Sequence, residues 1–273
     1  MENRGSQLHI LLAEDSPTSR LVAMMNLGEA GHAIEVVENG RQAIQIVKEK
    51  DFDLILMDVY MPEMDGLEAT RVIRRGEIDS GRHMPIIAMT ATETQDHIEK
   101  CLAAGMDGFV PKPVTLDELH RVLESLLCWR EGSPLQGRGR LHSFPSISEG
   151  RSESLIPVDL NQALEAVGGD LEILKDVMEV FASEYPEQVR VLREACARRD
   201  AACVERAAHR LKGILANVGG GRARELARQL ETMAEGGRMN GGVAMVEELE
   251  VEIERVVAFF SEPGWERSAL GHK

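Results

Sequence analysis

The sequence predicts two domains of different fold class: an α/β domain with a doubly wound, five-stranded parallel sheet, and an all-α helical bundle. Its 273 residues suffice for two domains, each with its own core. Short apolar runs alternate with amphipathic stretches in the first half, whereas only helical patterns occur after residue 157. A segment rich in Gly, Ser and Pro, typical of a flexible linker, separates them. We therefore assign residues 6–129 to the α/β domain, 130–157 to the linker and 158–262 to the bundle.

The α/β assignment depends on five short apolar runs, which are typical of parallel strands covered by helices on both faces. The predicted strands are residues 8–13, 33–37, 54–57, 85–89 and 108–110. Each is followed by an amphipathic stretch, which predicts helices over residues 18–30, 41–50, 67–75, 94–104 and 116–128. Five strand–helix units in about 125 residues indicate a doubly wound sheet.

The bundle assignment depends on a last segment that contains helical patterns and no strand-like run. Glycine pairs or triplets interrupt these patterns, and Pro186 predicts a further break. The resulting predicted helices are residues 160–166, 171–183, 187–199, 201–218, 223–234 and 243–260. Helices of this number and length favour a bundle architecture.

The composition excludes several classes of function. The chain has 31 basic and 46 acidic residues, and this acidity argues against a general nucleic-acid binder. No apolar run reaches the roughly 18–20 residues of a membrane span, and the first residues lack the layout of a secretory signal. Four cysteines without CxxC spacing indicate reduced, packed thiols: Cys101, Cys128, Cys196 and Cys203. We therefore expect a cytoplasmic protein without a membrane span.

Three acidic residues follow two strands that are neighbours in a sheet of order 2-1-3-4-5. Glu14 and Asp15 come after the first strand, and Asp58 ends or follows the third. Because the carboxyl ends of parallel strands meet at one edge, we expect the three carboxylates to converge. Mg²⁺ takes oxygen ligands and would relieve their repulsion. A single Asp after a strand is more often a turn residue or a helix cap, so the prediction depends on the whole set.

A hydroxyl and an ammonium are predicted at the same edge of the sheet. Thr90, followed by Ala91, comes after the fourth strand, and Lys112 comes after the fifth. The lysine would neutralise an incoming phosphoryl group, and the threonine would donate to one of its oxygens. Phosphoryl transfer to a carboxylate oxygen needs little beyond such positioning and charge compensation. The set therefore predicts a phosphoryl-accepting carboxylate.

Four stretches of the first domain form one pattern: LLAED at 11–15, LILMDVYMPEMDG at 54–66, AMTA at 88–91 and KP at 112–113. Through them, residues 8–128 resemble the receiver domain of two-component response regulators. The resemblance implies a flavodoxin-like fold and makes Asp58 the phosphoacceptor. The implied Mg²⁺ ligands are Asp15, Asp58 and the Tyr60 main-chain carbonyl, with Glu14 acting through bound water. The implied phosphoryl-binding and switch residues are Thr90, Ala91, Lys112 and Phe109.

His209 lies on a helical pattern whose apolar stripe faces the other way. On a wheel of 100° per residue, Leu211 and Leu215 fall within about 20° of Val204, and His209 falls about 140° from it. We predict that His209 projects to solvent from a patch of small residues. Gly213, one turn later, would leave room for a partner, although glycine costs about 1 kcal/mol relative to alanine inside a helix.

The surroundings of His209 are basic, although the domain as a whole is acidic. Residues 206–228 contain one acidic residue and six basic ones, which are Arg206, Arg210, Lys212, Arg222, Arg224 and Arg228. Such a field would stabilise a phosphorylated imidazole and steer an acidic partner. An exposed helical histidine alone usually has no function, so the prediction depends on the glycine and the basic surround together.

The stretch AHRLKG at 208–213, followed by NVG at 217–219, adds a second pattern. Through it, residues 158–260 resemble a histidine-containing phosphotransfer domain. The resemblance implies that His209 accepts and donates a phosphoryl group through Nε2, with Arg206, Lys212 and Gly213 around it. It also implies partners, namely a sensor histidine kinase and other receiver or phosphotransfer proteins. The same pair of domains occurs in the C-terminal part of hybrid sensor kinases.

The sequence thus favours a phosphorelay protein in which Asp58 and His209 exchange phosphoryl groups with each other or with outside partners. One alternative is an interaction module in which only the receiver is phosphorylated, and another is a fragment of a hybrid histidine kinase. An enzyme that uses ATP is disfavoured because the sequence has no Gly-rich nucleotide-binding motif. A flavin-binding domain of the same fold is disfavoured because Glu14 and Asp15 stand where a phosphate cradle would be required.

Tyr60 gives a prediction about the lifetime of the acyl phosphate. It lies two residues after Asp58, a position that in receivers gates the attack of water. A bulky ring there would shield the phosphoryl group, so we expect Tyr60→Gly to shorten the half-life of phosphorylated Asp58. Following the loss of acid-stable label in both variants measures this, and an unchanged half-life would count against shielding.

Overall fold

The computed structural model describes residues 7–78, 81–91, 94–115, 117–118, 121–122 and 157–266. The predicted linker, except for Pro157, lies outside these residues, as do Cys128 and most of the fifth predicted helix. The domain limits 6–129, 130–157 and 158–262 therefore remain predictions. None of the helices within the described ranges is long and apolar enough to cross a membrane.

Five strands of the first domain form one parallel sheet in the predicted order, β2-β1-β3-β4-β5. They are β1 (His9–Ala13), β2 (Ala33–Val37), β3 (Leu54–Asp58), β4 (Ile86–Thr90) and β5 (Gly108–Pro111). The three central strands are almost entirely buried, as expected of apolar runs with helices on both faces. The order makes β1 and β3 neighbours, so their carboxyl ends lie side by side.

The helices of the first domain begin at polar caps and agree with the predicted ones to within one or two residues. They are α1 (Pro17–Glu29), α2 (Gly40–Glu49), α3 (Gly66–Glu77) and α4 (Gln95–Ala104). Ser16 caps α1, since its side chain accepts a hydrogen bond from the Ser19 N–H. Thr115 and Glu118 form a reciprocal cap, which confirms the predicted start of a further helix.

The second domain is a helical bundle around a single apolar core. Its helices are α5 (Leu160–Ala166), α6 (Leu171–Arg198), α7 (Ala201–Asn217), α8 (Gly221–Glu235) and α9 (Gly242–Ser261). The apolar stripe predicted for α7 is confirmed, because Val204, Ala208, Leu211 and Leu215 are fully buried. Packing of these stripes holds the helices together.

The predicted break at Pro186 is wrong. Helix α6 is 28 residues long and continues through this proline without a break. Proline removes one backbone hydrogen bond, and the carbonyl left free belongs to Ala182, which is partly exposed, so water can bind it. Phe181 and Val189 on either side are buried in the core, and their packing keeps the two halves of the helix in line. Tertiary contacts thus outweigh the local preference to end the helix.

Helix α1 of the first domain packs against α6 and α7 of the bundle. Val22, on α1, is fully buried within the apolar core of the bundle. The Asn26 side-chain amide donates to the carbonyls of Val114 and Ala166, which belong to the two domains, at 2.7 and 2.9 Å. Asn217 at the end of α7 donates to the Ser19 hydroxyl at 3.2 Å. The domains therefore meet along a specific and partly polar interface.

Glu184 of α6 caps helix α1 across this interface. Its carboxylate accepts hydrogen bonds from the Ser16 hydroxyl at 3.2 Å, the Thr18 N–H at 3.0 Å and the Thr18 hydroxyl at 2.6 Å. Burial raises the pKa of Glu184, and the three donors oppose that shift. A carboxylate at the amino end of a helix also interacts favourably with the helix dipole. Glu184 therefore ties the bundle to the start of α1.

Replacing Glu184 tests the docking of the two domains. Glu184→Ala removes an acceptor for three donors, and buried hydrogen bonds to a charged group contribute about 1.5–3 kcal/mol each. We expect faster amide hydrogen exchange in α1 and α7, because a larger fraction of the molecules has undocked domains. Each domain should still be folded. Glu187→Ala, which removes an exposed carboxylate paired with Arg190 on the same helix, is the control. Equal exchange in the two variants would show that Glu184 does not hold the domains together.

Candidate functional site

Three carboxylates converge at the carboxyl edge of the sheet, as predicted. Ligand oxygens of Glu14, Asp15 and Asp58 all lie within 4.8 Å of one another. Glu14 and Asp58 are buried, and Asp58 is only 4% exposed. Gly66, at the start of α3, lies against the backbone of Asp58: a Cβ at that position would come within 2.1 Å of the Asp58 carbonyl oxygen. The close approach of α3 to the end of β3 therefore requires glycine.

Lys112 supplies a positive charge at the centre of the cluster. Its ammonium lies 2.6 Å from Glu14 and 2.8 Å from Asp58. Burial raises the pKa of Asp58, with Lys112 opposing and Glu14 adding to the shift. Burial alone would lower the pKa of Lys112, but the two carboxylates raise it. The lysine therefore stays charged and compensates two of the three carboxylates.

The third carboxylate has an unused buried oxygen. Asp15 Oδ1 has no hydrogen-bond partner among the described residues, and the Asp15 side chain is only 5% exposed. Buried polar atoms are normally paired, so an unpaired carboxylate oxygen beside two other carboxylates fits a cation site. Oxygen ligands alone suit a hard cation such as Mg²⁺.

The remaining predicted residues of the first domain lie on strands β3, β4 and β5 or just after them. Thr90 ends β4 and is buried, and Ala91 follows it directly. Phe109 on β5 is half-buried and packs against the apolar cluster on one side of the sheet. The Tyr60 N–H donates weakly to Asp58 at 3.5 Å, and its ring points toward the bundle. The sheet edge thus brings together the set that the sequence indicates.

The prediction that His209 projects to solvent is wrong. The side chain does lie opposite the apolar stripe of α7, but the residue is only 2% exposed. The reason is that the first domain covers this face: the Tyr60 ring lies 4.4 Å from the imidazole, measured between centroids. A helical wheel identifies the face that points away from a domain's own core but cannot identify what another domain places there.

Glu231 fixes the protonation of His209. Its carboxylate lies 2.5 Å from His209 Nδ1 and also binds the Lys212 ammonium. Burial alone would raise the pKa of Glu231, but the hydrogen bond with His209 and the charge of Lys212 lower it to about 2. Burial lowers the pKa of His209 to about 4, against the opposing effect of Glu231. At neutral pH an ionised Glu231 can only accept, so Nδ1 carries the proton and Nε2 has a free lone pair.

Nε2 of His209 faces the interface without a partner. It is buried and has no hydrogen-bond partner among the described residues. Gly213 leaves the room that was predicted: a Cβ there would lie 3.6 Å from Lys112 Cδ and 3.8 Å from Ala91 Cβ. The chain that approaches His209 is therefore the first domain of the same protein. The Lys112 side chain, whose ammonium binds Asp58, lies against Gly213 from the side of the first domain.

Three residues around His209 were missed by the sequence reasoning. His97 of α4 stacks on His209 at 5.7 Å between ring centroids, and burial lowers its pKa. Glu205 accepts a hydrogen bond from the Tyr60 hydroxyl at 3.3 Å. Glu231 lies 22 positions after His209 on another helix, so no local pattern connects the two. Only the packing of α8 against α7 brings it there.

The basic residues around His209 differ in their environments. Arg206 is exposed, whereas Lys212 is buried and paired with Glu231. Arg222 and Arg228 form surface ion pairs with Glu248 and Glu225. Arg210 pairs with Asp15 across the domain interface. The predicted positive field is therefore partly neutralised within the bundle, and Arg210 directs its charge at the carboxylate cluster.

Sequence models of two domain families match the chain. The response regulator receiver domain matches residues 10–124, and the Hpt domain matches residues 176–259. The chain is a receiver domain followed by an Hpt domain. Receiver and Hpt domains together indicate a phosphorelay signalling protein, and the resemblances inferred from the sequence are confirmed.

Curated relatives are histidine kinases that are much longer than this chain. A probable histidine kinase 1 of Oryza sativa subsp. indica is 38% identical over 45% of the chain and 16% of its own length. The signal transduction histidine-protein kinase BarA of Shigella flexneri is 27% identical over 84% of the chain and 24% of its own length. The chain thus spans a quarter or less of these relatives.

Two solved structures are similar to parts of the chain. One is the receiver domain of the sensor histidine kinase PA1611 from Pseudomonas aeruginosa, solved with a magnesium ion in its active-site cleft. It is 40% identical, with coverage of 44% of this chain and 97% of that one and a TM-score of 0.41. The other is the complex of Ypd1 with the Ssk1 receiver domain from Saccharomyces cerevisiae. The matching chain is 27% identical, with coverage of 47% of this chain and 94% of that one and a TM-score of 0.44.

Replacing Glu231 tests its effect on His209. Glu231→Leu removes the acceptor for Nδ1–H, so we expect the imidazole to lose its single tautomer and its fixed orientation. If His209 accepts a phosphoryl group, as the sequence predicts, transfer to it should slow by up to about 100-fold, as expected when a reacting atom is misplaced. The tautomer is measured by ¹⁵N NMR of the imidazole and the transfer by labelled phosphate. Glu231→Gln, which keeps an acceptor oxygen, should retain both properties; a Leu variant with unchanged tautomer and rate contradicts the assignment.

Proposed function

We propose that this chain passes a phosphoryl group between Asp58 and His209. The observation that carries the proposal is the burial of His209, with a free Nε2 lone pair, against the edge of the sheet that bears Asp58. Lys112 joins the two sites, because its ammonium binds Asp58 while its Cδ lies 3.6 Å from the Cβ position of Gly213.

The transfer step is a displacement at phosphorus. In the direction from receiver to Hpt domain, the Nε2 lone pair attacks the phosphorus of the Asp58 acyl phosphate. The new N–P bond forms as the P–O bond to Asp58 breaks, and the electron pair leaves with the Asp58 carboxylate. The Nδ1 proton stays in its hydrogen bond to Glu231, which compensates the positive charge that develops on the imidazole. The reverse direction uses the same contacts.

The receiver residues compensate the charge of the phosphoryl group. Lys112 carries a positive charge beside Asp58, and Thr90 with the Ala91 main chain would donate to phosphoryl oxygens. On the Hpt side, Arg206 and Lys212 would compensate the charge of phosphohistidine, and Gly213 would let the receiver approach it closely. Phe109 would follow the movement of Thr90 by packing alone, because it has no hydroxyl group.

A magnesium ion fits the carboxylate cluster. Asp15 and Asp58, with the Tyr60 main-chain carbonyl, would hold it, and Glu14 would contact its waters. Bound there, Mg²⁺ would neutralise the negative charge of the phosphoryl oxygens. The unpaired Asp15 Oδ1 supports this assignment.

Outside partners would supply and remove the phosphoryl group. We infer a sensor histidine kinase as the source and a receiver aspartate of another protein as the destination, because each site needs a partner of complementary chemistry. The chain itself would act as an intermediate without an ATP-binding kinase domain, in the cytoplasm. An origin in a longer hybrid histidine kinase is supported by the coverage of its relatives.

The proposal is tested by labelling the intact chain with a small acyl-phosphate donor and Mg²⁺. We expect two kinds of label, an acid-stable, base-labile one on Asp58 and an acid-labile, base-stable one on His209. Asp58→Asn should lose both, since the donor reacts with the receiver, and His209→Gln should lose only the second. When the two variants are mixed, acid-labile label on the His209 of the Asp58→Asn chain reports transfer between chains. Transfer within one wild-type chain has a rate that does not depend on protein concentration.

The outcomes separate the proposal from its rival. Label on Asp58 alone, in wild type, would leave an interaction module in which the Hpt domain only docks the receiver. Label on neither residue would reject the assignment of both sites. A second label that survives His209→Gln would place the histidine acceptor elsewhere among the eight histidines of the chain.

A further inference from the structure

Two cations, one from each domain, divide the three carboxylates between them. Lys112 of the receiver binds Glu14 and Asp58. Arg210 of the Hpt domain forms an ion pair with Asp15 Oδ2, through its Nη2 atom. The other Asp15 oxygen has no hydrogen-bond partner among the described residues. Asp15 therefore has its charge compensated from outside the receiver.

Arg210 depends on Asp15 in turn. Burial lowers the pKa of Arg210, with Glu14 opposing the shift. Its Nε atom is buried and has no hydrogen-bond partner in the described part of the chain, and its contact with Gln188 is long, at 3.5 Å. Among the carboxylates of the described residues, Asp15 alone forms an ion pair with it. A half-buried guanidinium with so few partners gains most of its compensation from that pair.

We propose that Arg210 competes with Mg²⁺ for Asp15, so that metal binding and domain docking weaken each other. The inference rests on the magnesium site proposed above. Arg210 holds Asp15 Oδ2 and leaves only Oδ1 for a metal. A divalent cation at Oδ1 would repel the guanidinium on the neighbouring oxygen, so metal binding weakens the ion pair of Arg210 with Asp15.

The competition makes the Hpt domain a regulator of the metal site. Coupling between two binding equilibria is reciprocal. If docking of the Hpt domain lowers the affinity for Mg²⁺ by some factor, Mg²⁺ lowers the docking equilibrium constant by the same factor. The contacts of Glu184, Asn26 and Asn217 lie at helix α1 and do not involve Asp15. They can therefore keep the domains together while Arg210 is released, and a released guanidinium lies beside the site where phosphoryl charge is transferred.

Calorimetric titration of the intact chain with Mg²⁺ tests the proposal. We expect Arg210→Gln to bind Mg²⁺ at least about fivefold more tightly than wild type, the lower end of typical coupling between sites. Arg222→Gln removes the same charge from an exposed pair with Glu248, and it should change the affinity by less than about twofold, since exposed charges are screened. Equal or weaker binding by Arg210→Gln overturns the proposal.

A second variant tests the same idea through docking alone. Glu184→Ala withdraws Arg210 from the receiver without altering either member of the ion pair. Loss of the Glu184 charge should by itself weaken Mg²⁺ binding. Tighter binding than in wild type therefore supports competition, and equal or weaker binding opposes it. In wild type, Mg²⁺ should also speed amide exchange in α7, and Arg210→Gln should abolish that effect; an equal effect in both overturns the proposal.

Failure of the two proposals can be told apart. A wild-type chain and an Arg210→Gln variant that both bind no Mg²⁺ would reject the metal site and the competition together. A wild-type chain that binds Mg²⁺ with the same affinity as Arg210→Gln would reject the competition alone. The labelling of Asp58 and His209 is a separate measurement, so rejection of the competition alone leaves the proposed phosphoryl transfer unaffected.

Discussion

Compensation of buried negative charge is the constraint on which this structure depends. The order of the strands forces three carboxylates to one edge of the sheet, and burial makes their mutual repulsion costly. Lys112 compensates two of them from within the receiver. The third is compensated by an arginine of the Hpt domain, which places the residue before it, His209, at the same edge. The contact that brings Asp58 and His209, the proposed phosphoryl acceptors, to one edge thus also compensates a buried charge.

The Hpt domain shows a parallel arrangement around its own buried acid. Glu231 is held ionised by the His209 hydrogen bond and the Lys212 charge, and in return it holds the imidazole in one tautomer. Both sites therefore combine buried carboxylates with one buried lysine: Lys112 binds Glu14 and Asp58, and Lys212 binds Glu231. Tyr60 and His97 close the space between them by ring contacts. Exclusion of water from such a site favours transfer over hydrolysis.

The sequence predicts most of this fold because local patterns determine it. Short apolar runs with polar ends identify the five strands, and the strand order then brings Glu14, Asp58 and Lys112 together. The limits appear where distant packing decides the outcome. Helix α6 runs through Pro186 because residues on both sides of it are anchored in the core. His209 is buried because another domain covers it, and Glu231 reaches it from a separate helix. None of these three facts has a signal within a window of adjacent residues.

The cap that Glu184 places on helix α1 has a consequence for fidelity among signalling proteins. Three donors, from Ser16 and Thr18, bind Oε2 of this buried acid, whereas its Oε1 has no hydrogen-bond partner among the described residues. A foreign receiver with apolar side chains at these two positions would desolvate Glu184 while offering only one backbone N–H in return. Such a mismatch is costly, so crosstalk would be suppressed by rejection of the wrong receiver rather than by tighter attraction of the right one. The insulation of a pathway would then reside in two small hydroxyl groups at the start of α1.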